Sequence, residues 1–366
     1  MVRTVVGMSG GVDSSLAAAL LKEGGADAVG VTMKLWPCAE TDGGFTRDDA
    51  CCSPSETIDA RAVALGLGLP HYVVDLEDEF RAGVVDGFVA AYAAGETPNP
   101  CVRCNEKIKF GALWDYARAI GAARVATGHY ARVERAFDRW LLRTAADRGK
   151  DQTYFLFSLT QEQLAHADFP LGGMTKVEVR EQARARALRT ADKHESMDIC
   201  FVGDEGVTGF LRRAKPEVFV PGPIEHEDGT VLGKHQGLAA FTLGQRKGLG
   251  VAWSEPLYVT RLDRARNAVV LGPHASLLVA SQRLRECTWH LGDLPASGLE
   301  CLVRPRHRAK PAAATIVPID GGAEVRWAQP QPLVNPGQAC VAYDQRDDYC
   351  LGGGWFTDGG SANVHS

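Results

Sequence analysis

The chain lacks any run near the roughly eighteen apolar residues that a membrane-crossing helix needs. Its opening, MVRTVVGMSGG, passes from a short apolar run directly into a loop rather than a cleavage site. It also lacks a positive balance: 40 Lys and Arg stand against 45 Asp and Glu, a net charge of −5. That excludes a protein coating nucleic acid indiscriminately, although local basic surfaces can still attract phosphates. No repeat at solenoid periods is visible, and neither G-x-x-x-x-G-K-[ST] nor G-x-G-x-x-G occurs. These absences predict a cytoplasmic globular protein without a membrane role. At 366 residues it should hold two or three domains. Its ten cysteines, in a reducing compartment, are expected as thiols, catalytic groups or metal ligands rather than structural disulfides.

Strand-like and helix-like segments alternate in the first part. Thr4–Met8, Ala28–Met33, His71–Val74 and Arg124–Thr127 read as strands; Ser14–Glu23, Glu56–Leu67 and Ile108–Ile120 read as helices. The alternation predicts an α/β domain over 1–204, a parallel sheet with helices on both faces. From about Gly203 the texture turns to Pro, Gly, Val and short turns, which predicts a small β-rich central domain over 205–275. A further all-β unit follows over 276–358, with strands at Glu300–Arg304, Thr315–Pro318, Glu324–Trp327 and Gln338–Tyr343, and a loose tail over 359–366.

The string Ser9-Gly10-Gly11-Val12-Asp13-Ser14 joins the first strand to the first helix. Two glycines let backbone approach an anion, and the helix behind them aims its free N–H groups and positive dipole end at the same place. Ser9 and Ser14 add hydroxyls, while Asp13 could cap the helix or help hold Mg²⁺. SGGVDS in this setting resembles the pyrophosphate-loop ATPases, the adenine nucleotide α-hydrolase superfamily. That resemblance implies cleavage of ATP between its α- and β-phosphates, giving an adenylated substrate and pyrophosphate.

Cysteines then narrow the choice. In Thr97-Pro98-Asn99-Pro100-Cys101-Val102-Arg103-Cys104-Asn105, two prolines stiffen the approach to a helix expected near Ile108. A cysteine ahead of a helix N-terminus, beside Arg103 and Lys107, is expected to hold more thiolate. Cys200 sits in ESMDICFVG, where the α/β part ends. Zinc is the usual reading of C-x-x-C, but the candidate extra ligands Cys51 and Cys52 are adjacent, an unsuitable spacing. Cys287, Cys301, Cys340 and Cys350 read as buried structural residues.

The blocks TPNPCVRCNEKIKF, ATGHYAR, KDQTYFL, ESMDICFVG, TLGQRKGLG and LGGGWF, spread in order from residue 97 to 356, resemble those of the tRNA-specific 2-thiouridylases. The resemblance covers nearly the whole chain. It implies ATP-dependent 2-thiolation of the wobble uridine of Lys, Gln and Glu tRNAs, a C-terminal β-barrel that grips the tRNA, and a sulfur donor such as a cysteine desulfurase or relay protein. Carried over by position, Cys104 is the catalytic thiol, Cys200 carries a persulfide, the two can close a redox disulfide, and Asp13 assists. ATP contacts fall on Gly7, Met8, Ser9, Gly10, Gly11, Val12, Asp13, Ser14, Met33 and Gly128. Contacts to tRNA fall on Asn99, Pro100, Cys101, His129, Lys150, Asp151, Gln152, Arg304, Pro305 and Gln338. One departure matters: many members carry Asp where this sequence has Cys101. Cys101, Cys104 and Cys200 could therefore hold a [4Fe–4S] cluster that delivers hydrosulfide, as the alternative to the persulfide.

Basic runs at Arg184/Arg186/Arg189, Arg212/Arg213/Lys215, Arg246/Lys247 and Arg304/Arg306/Arg308/Lys310 suggest charge gathered toward a phosphate backbone. V-R-P-R-H-R alternates like a strand, which would set Arg304, Arg306 and Arg308 on one face. Two rival functions remain on the residues: a pyrophosphate-loop ligase acting on a small molecule, and a zinc-stabilised RNA-binding protein without turnover.

Overall fold

A computed structural model of the chain describes residues 2–36, 54–136, 138–194 and 199–357. Cys51, Cys52, the Glu195–Asp198 part of the second cysteine block and the tail from Asp358 lie outside the described residues. The chain forms two compact units, one of Met1–Asp86, Pro100–Asp204 and Arg346–Leu351, the other of Gly87–Asn99, Glu205–Gln345 and Gly352–Ser366.

In the first unit, β1 (Arg3–Gly7), β2 (Asp27–Lys34), β3 (His71–Asp75) and β4 (Arg124–Ala126) are parallel strands. A hairpin of β5 (Ala131–Ala136) and β6 (Arg139–Thr144) follows, then a two-residue strand, β7 (Ala167–Asp168). The parallel sheet has the order β3-β2-β1-β4-β7. Val5 and Val6 of β1 are fully buried, as expected of a central parallel strand covered on both faces. Helix α1 (Val12–Glu23) packs through Leu16, Ala17, Ala18 and Ala19 into one core with Val63 and Ala64 of α2 (Pro54–Gly66) and with Val179 and Ala183 of the helix Lys176–Ala185. The strand order reverses direction between β1 and β4. In open parallel sheets this reversal opens a crevice at the carboxyl ends of the two strands.

The cysteine-bearing helix begins earlier than its apolar period implies. It starts at Pro100, runs as α-helix to Arg103, widens into π-type turns over Cys104–Ala112, and ends as α-helix over Leu113–Ala119. Proline is suited to the first helical position, because its φ is pre-set and its missing N–H would be unpaired there anyway.

In the second unit, β8 (Gly222–His226), β9 (Val231–His235), β10 (Tyr258–Asp263) and β11 (Ala268–Gly272) form a sheet of order β10-β11-β8-β9. Its own core includes Ile224, Leu249, Leu257, Val259, Val269 and Leu271. The strands β12 (Leu278–Trp289), β13 (Leu299–Arg304), β14 (Ala312–Ile319), β15 (Gly322–Pro332), β16 (Ala339–Tyr343) and β17 (Tyr349–Phe356) follow in the order β12-β15-β14-β13-β16-β17. β17 returns to β12 through Leu284↔Phe356 and Arg285↔Trp355, closing a six-stranded barrel. Closure explains the glycines of LGGGWF: a Cβ on Gly352 would lie 2.0 Å from the Thr288 carbonyl. β13 stops at Arg304, so Arg306 and Arg308 do not continue a strand face. Pro305 has no N–H to extend the ladder, and the chain turns instead, with Ala309 N donating to Arg306 O.

Candidate active site

The phosphate loop lies at the reversal between β1 and β4. Met8 anchors it: its N–H donates to Val31 O, and its carbonyl accepts from Thr32 Oγ1 at 2.9 Å. Ser9 N donates to Ser14 Oγ, which itself donates to Gly11 O at 3.2 Å. Gly11 is the N-cap of α1, in extended conformation and with no side chain bonded over the helix start. The first N–H groups of α1 therefore have no side-chain acceptor, the arrangement that receives a phosphate. Gly10 takes φ +78°, and a Cβ there would lie 2.3 Å from the Glu56 carbonyl. Gly128, just beyond β4, is as confined, since its Cβ would sit 2.7 Å from both Asp13 C and Ser14 N. Met33 lies near the carboxyl end of β2 and is half-buried.

Two lysines that the motifs did not single out stand at this loop. Lys176 Nζ donates to both oxygens of Asp13 at 2.8 Å, and Tyr130 Oη donates to Asp13 Oδ1 at 2.9 Å. The Asp13 carboxylate is thus held by Lys176 and Tyr130 at the start of α1. Lys193 Nζ contacts Glu56 Oε1 and Asp59 Oδ2, each at 2.7 Å, and the Gly10 carbonyl at 3.3 Å. A sequence signal for Lys176 existed. Thr175 and Glu178 form a capping box that fixes Lys176 as the first residue of its helix.

On the cysteine helix, Cys101 is exposed and Cys104 half-buried; a spacing of three puts them on one side. Arg103 and Lys107, expected beside the thiols, both pair with Glu106, at 3.2 and 3.1 Å. Buried Asn105 donates from Nδ2 to Phe155 O, tying the helix to the KDQTYFL block. Gln163 Nε2 donates to the carbonyls of Glu106 and Phe110 inside the widened turns. Cys200 is half-buried, and the following Phe201 packs edge-on against Phe80. Among the described residues no three His, Cys, Asp or Glu side chains form a group able to hold a metal. Cys101, Cys104 and Cys200 are not brought together as one such group. In the barrel, Cys301, Cys340 and Cys350 are buried and Cys287 is half-buried. Burial pushes the Cys287 thiol up to about 11 and Cys301 to about 12, and holds Cys340 well above the usual range, which keeps these thiols neutral near pH 7.

The residues expected to meet tRNA divide into outward and inward groups. Asn99, Lys150, Arg304 and Pro305 are partly exposed, and the Arg304 guanidinium lies 4.5 Å from the Tyr343 ring centroid. Pro100 is buried at the helix start. Asp151 accepts from Ala145 N and Thr153 Oγ1, Gln152 Oε1 accepts from Tyr130 N, and Gln338 Nε2 donates to Thr97 O. His129 is buried between Phe110 and Phe169. Its pKa lies well below the ordinary histidine value, through burial first and the Lys109 charge second. Lys109 Nζ can only donate to Nε2, so Nδ1–H donates to Thr127 Oγ1 at 2.7 Å. One basic run is matched by acids at the surface: Arg184 pairs with Asp192, Arg186 with Glu23 and Arg189 with Asp59.

Three family models match: one described as a tRNA methyl transferase HUP domain over residues 2–204, one as a tRNA methyl transferase PRC-barrel domain over 208–273, and one as an aminomethyltransferase beta-barrel domain over 280–356. A tRNA-specific 2-thiouridylase MnmA of Rhodopseudomonas palustris is 48% identical, over 97% of this chain and 90% of its own. One from Geobacter metallireducens is 47% identical, over 97% and 96%. Among solved structures, an NMN synthetase from Francisella tularensis overlaps 53% of this chain and 66% of its own, at 18% identity and a TM-score of 0.33, too slight a likeness to carry an argument.

Proposed function

The chain belongs to the tRNA-specific 2-thiouridylase family, and on that premise we propose that it is an ATP-dependent sulfurtransferase that thiolates the wobble uridine of tRNA at C2. The family models are named for methyl transfer and the relatives for thiolation. The relatives carry more weight, because they match both chains nearly end to end. A loop built to receive ATP phosphates also serves activation of an oxygen as a leaving group, for which methyl transfer has no use. The observation that carries the reading is the uncapped start of α1 at the sheet reversal, in the same unit as Cys104 and Cys200.

In the proposed reaction ATP binds over Gly7–Ser14, beside Gly128 and Met33, with Mg²⁺ carried on its phosphates. The uridine C2 oxygen attacks the α-phosphorus and pyrophosphate leaves. Lys176, fixed by Asp13 and Tyr130, is the nearby cation that offsets negative charge on the departing phosphates. The terminal sulfur of a Cys200 persulfide then bonds to C2 and AMP departs, AMP being a far better leaving group than hydroxide. The Cys104 thiolate attacks the Cys200 sulfur and breaks the S–S bond. This releases the 2-thio base and leaves a Cys104–Cys200 disulfide, which an external thiol reductant reopens. A cysteine desulfurase or relay protein restores the persulfide. The barrel and the partly exposed Asn99, Lys150 and Arg304 would contact a Lys, Gln or Glu tRNA. This assigns ATP chemistry to 1–204 and tRNA contact to 276–358, with 205–275 between.

The test is thiolation of unmodified tRNA with ATP and a persulfide donor. Cys104→Ser and Cys200→Ser should each abolish the 2-thio product while pyrophosphate release persists. Thiolation that survives in either variant overturns the cysteine chemistry.

A further inference from the structure

The sheet β8–β11 carries a second aromatic and basic feature that the reaction above does not use. Its loop from Arg246 to Leu257 lines a cavity of about 520 Å³. The loop is anchored rather than loose: Leu249 and Leu257 are buried in the sheet core and Val251 packs against it. Between these anchors Trp253 is pushed outward and remains 40% exposed. One face of its indole stacks on His226, the last residue of β8, with ring centroids 4.8 Å apart and planes inclined by 24°. The stack fixes the ring, and its exposure lies on the side that His226 does not cover.

Beside it, Arg246 and Lys247 are exposed. Arg184, Arg186, Arg189 and Arg213 are all matched with acids, whereas Arg246 and Lys247 have no ion pair among the described residues. Glu255 is the one acid among the lining residues. A rigid exposed indole that shares its cavity with the unmatched Arg246, with the exposed Lys247 next in the chain, is the chemistry that holds a single unstacked nucleotide, its base on the ring and its phosphate on the cations. The cavity is within the size range of such sites.

We propose that Trp253, Arg246 and Lys247 form a docking site for one unpaired nucleotide of the tRNA substrate, other than the uridine being modified. This rests on the tRNA reading above. The test measures binding of full-length unmodified tRNA across a salt series, for wild type, Trp253→Ala, Trp253→Phe and the Arg246→Ala/Lys247→Ala double variant. Trp253→Ala should weaken binding about tenfold, the loss of one base stack, with Trp253→Phe close to wild type. The double variant should shrink the slope of log affinity against log salt by roughly 1 to 2. The tRNA KM should rise in both while kcat at saturating tRNA stays unchanged. Wild-type affinity and slope in both variants would overturn the site alone. Intact tRNA binding with lost sulfur uptake from a desulfurase would overturn it in favour of a protein-docking face. A wild-type protein that neither binds nor thiolates tRNA would overturn the function and the site together.

Discussion

Replacing Lys176 by Met tests whether the ion pair at the phosphate loop is structural, functional or both. Lys176 is 11% exposed and Asp13 29% exposed at the side chain, and the ammonium bonds to both carboxylate oxygens. Removing one member of a fully buried pair costs roughly 3–5 kcal/mol, mostly from the charge left behind. Here Asp13 keeps some solvent and the Tyr130 hydroxyl, so about 2 kcal/mol is expected. For a unit of this size that corresponds to a fall in Tm of about 4–8 °C. Calorimetry on Lys176→Met, Asp13→Asn and the double variant separates the causes. If the stranded carboxylate is responsible, Asp13→Asn should restore most of the stability lost in Lys176→Met. Pyrophosphate release should not recover, because the cation facing the nucleotide is still missing. A double variant no more stable than Lys176→Met refutes the stranded-charge argument. Wild-type kinetics in Lys176→Met refute the proposed role toward the phosphates.

Gly128→Ala forces a Cβ to 2.7 Å from the backbone of Asp13 and Ser14, so it should cost about 1–3 kcal/mol and raise the ATP KM about tenfold, read from initial rates. The Cys301 thiol, at about 12 when folded, predicts falling stability at alkaline pH. Below about pH 8.5 it is neutral in both states and contributes no slope. Above that, the unfolded chain ionises first and is favoured, until the folded thiol titrates near 12. The loss should approach about 5 kcal/mol across this window, and Cys301→Ala should remove that part of the slope in Tm measured from pH 8 to 11. Thiol labelling should leave Cys301 and Cys340 unmodified in the native protein and reach them on unfolding.

The alternation of strands and helices, the buried valines of β1 and the SGGVDS junction were legible because they are local. Burial on both faces demands an apolar run, and a close backbone approach demands glycine. The start of the cysteine helix was misplaced by eight residues, since an apolar period cannot register Pro-Cys-Val-Arg as a first turn. The alternation through Arg308 was equally misleading, because proline ended the ladder after Arg304.

Residue order alone thus determined the fold class, the phosphate loop and the family to which the cysteine blocks belong. Tertiary structure decided the partners. Lys176 meets Asp13 across 163 residues, Glu106 takes both cations expected near the thiols, and one arginine run is neutralised by acids brought from elsewhere in the first unit. His129 turns inward, and no three ligands come together for a cluster among the described residues. The physical reason is common to all of these. A side chain's charge, hydrogen-bonding type and size are written at its own position, but its burial and its counter-ion depend on segments that only folding brings beside it.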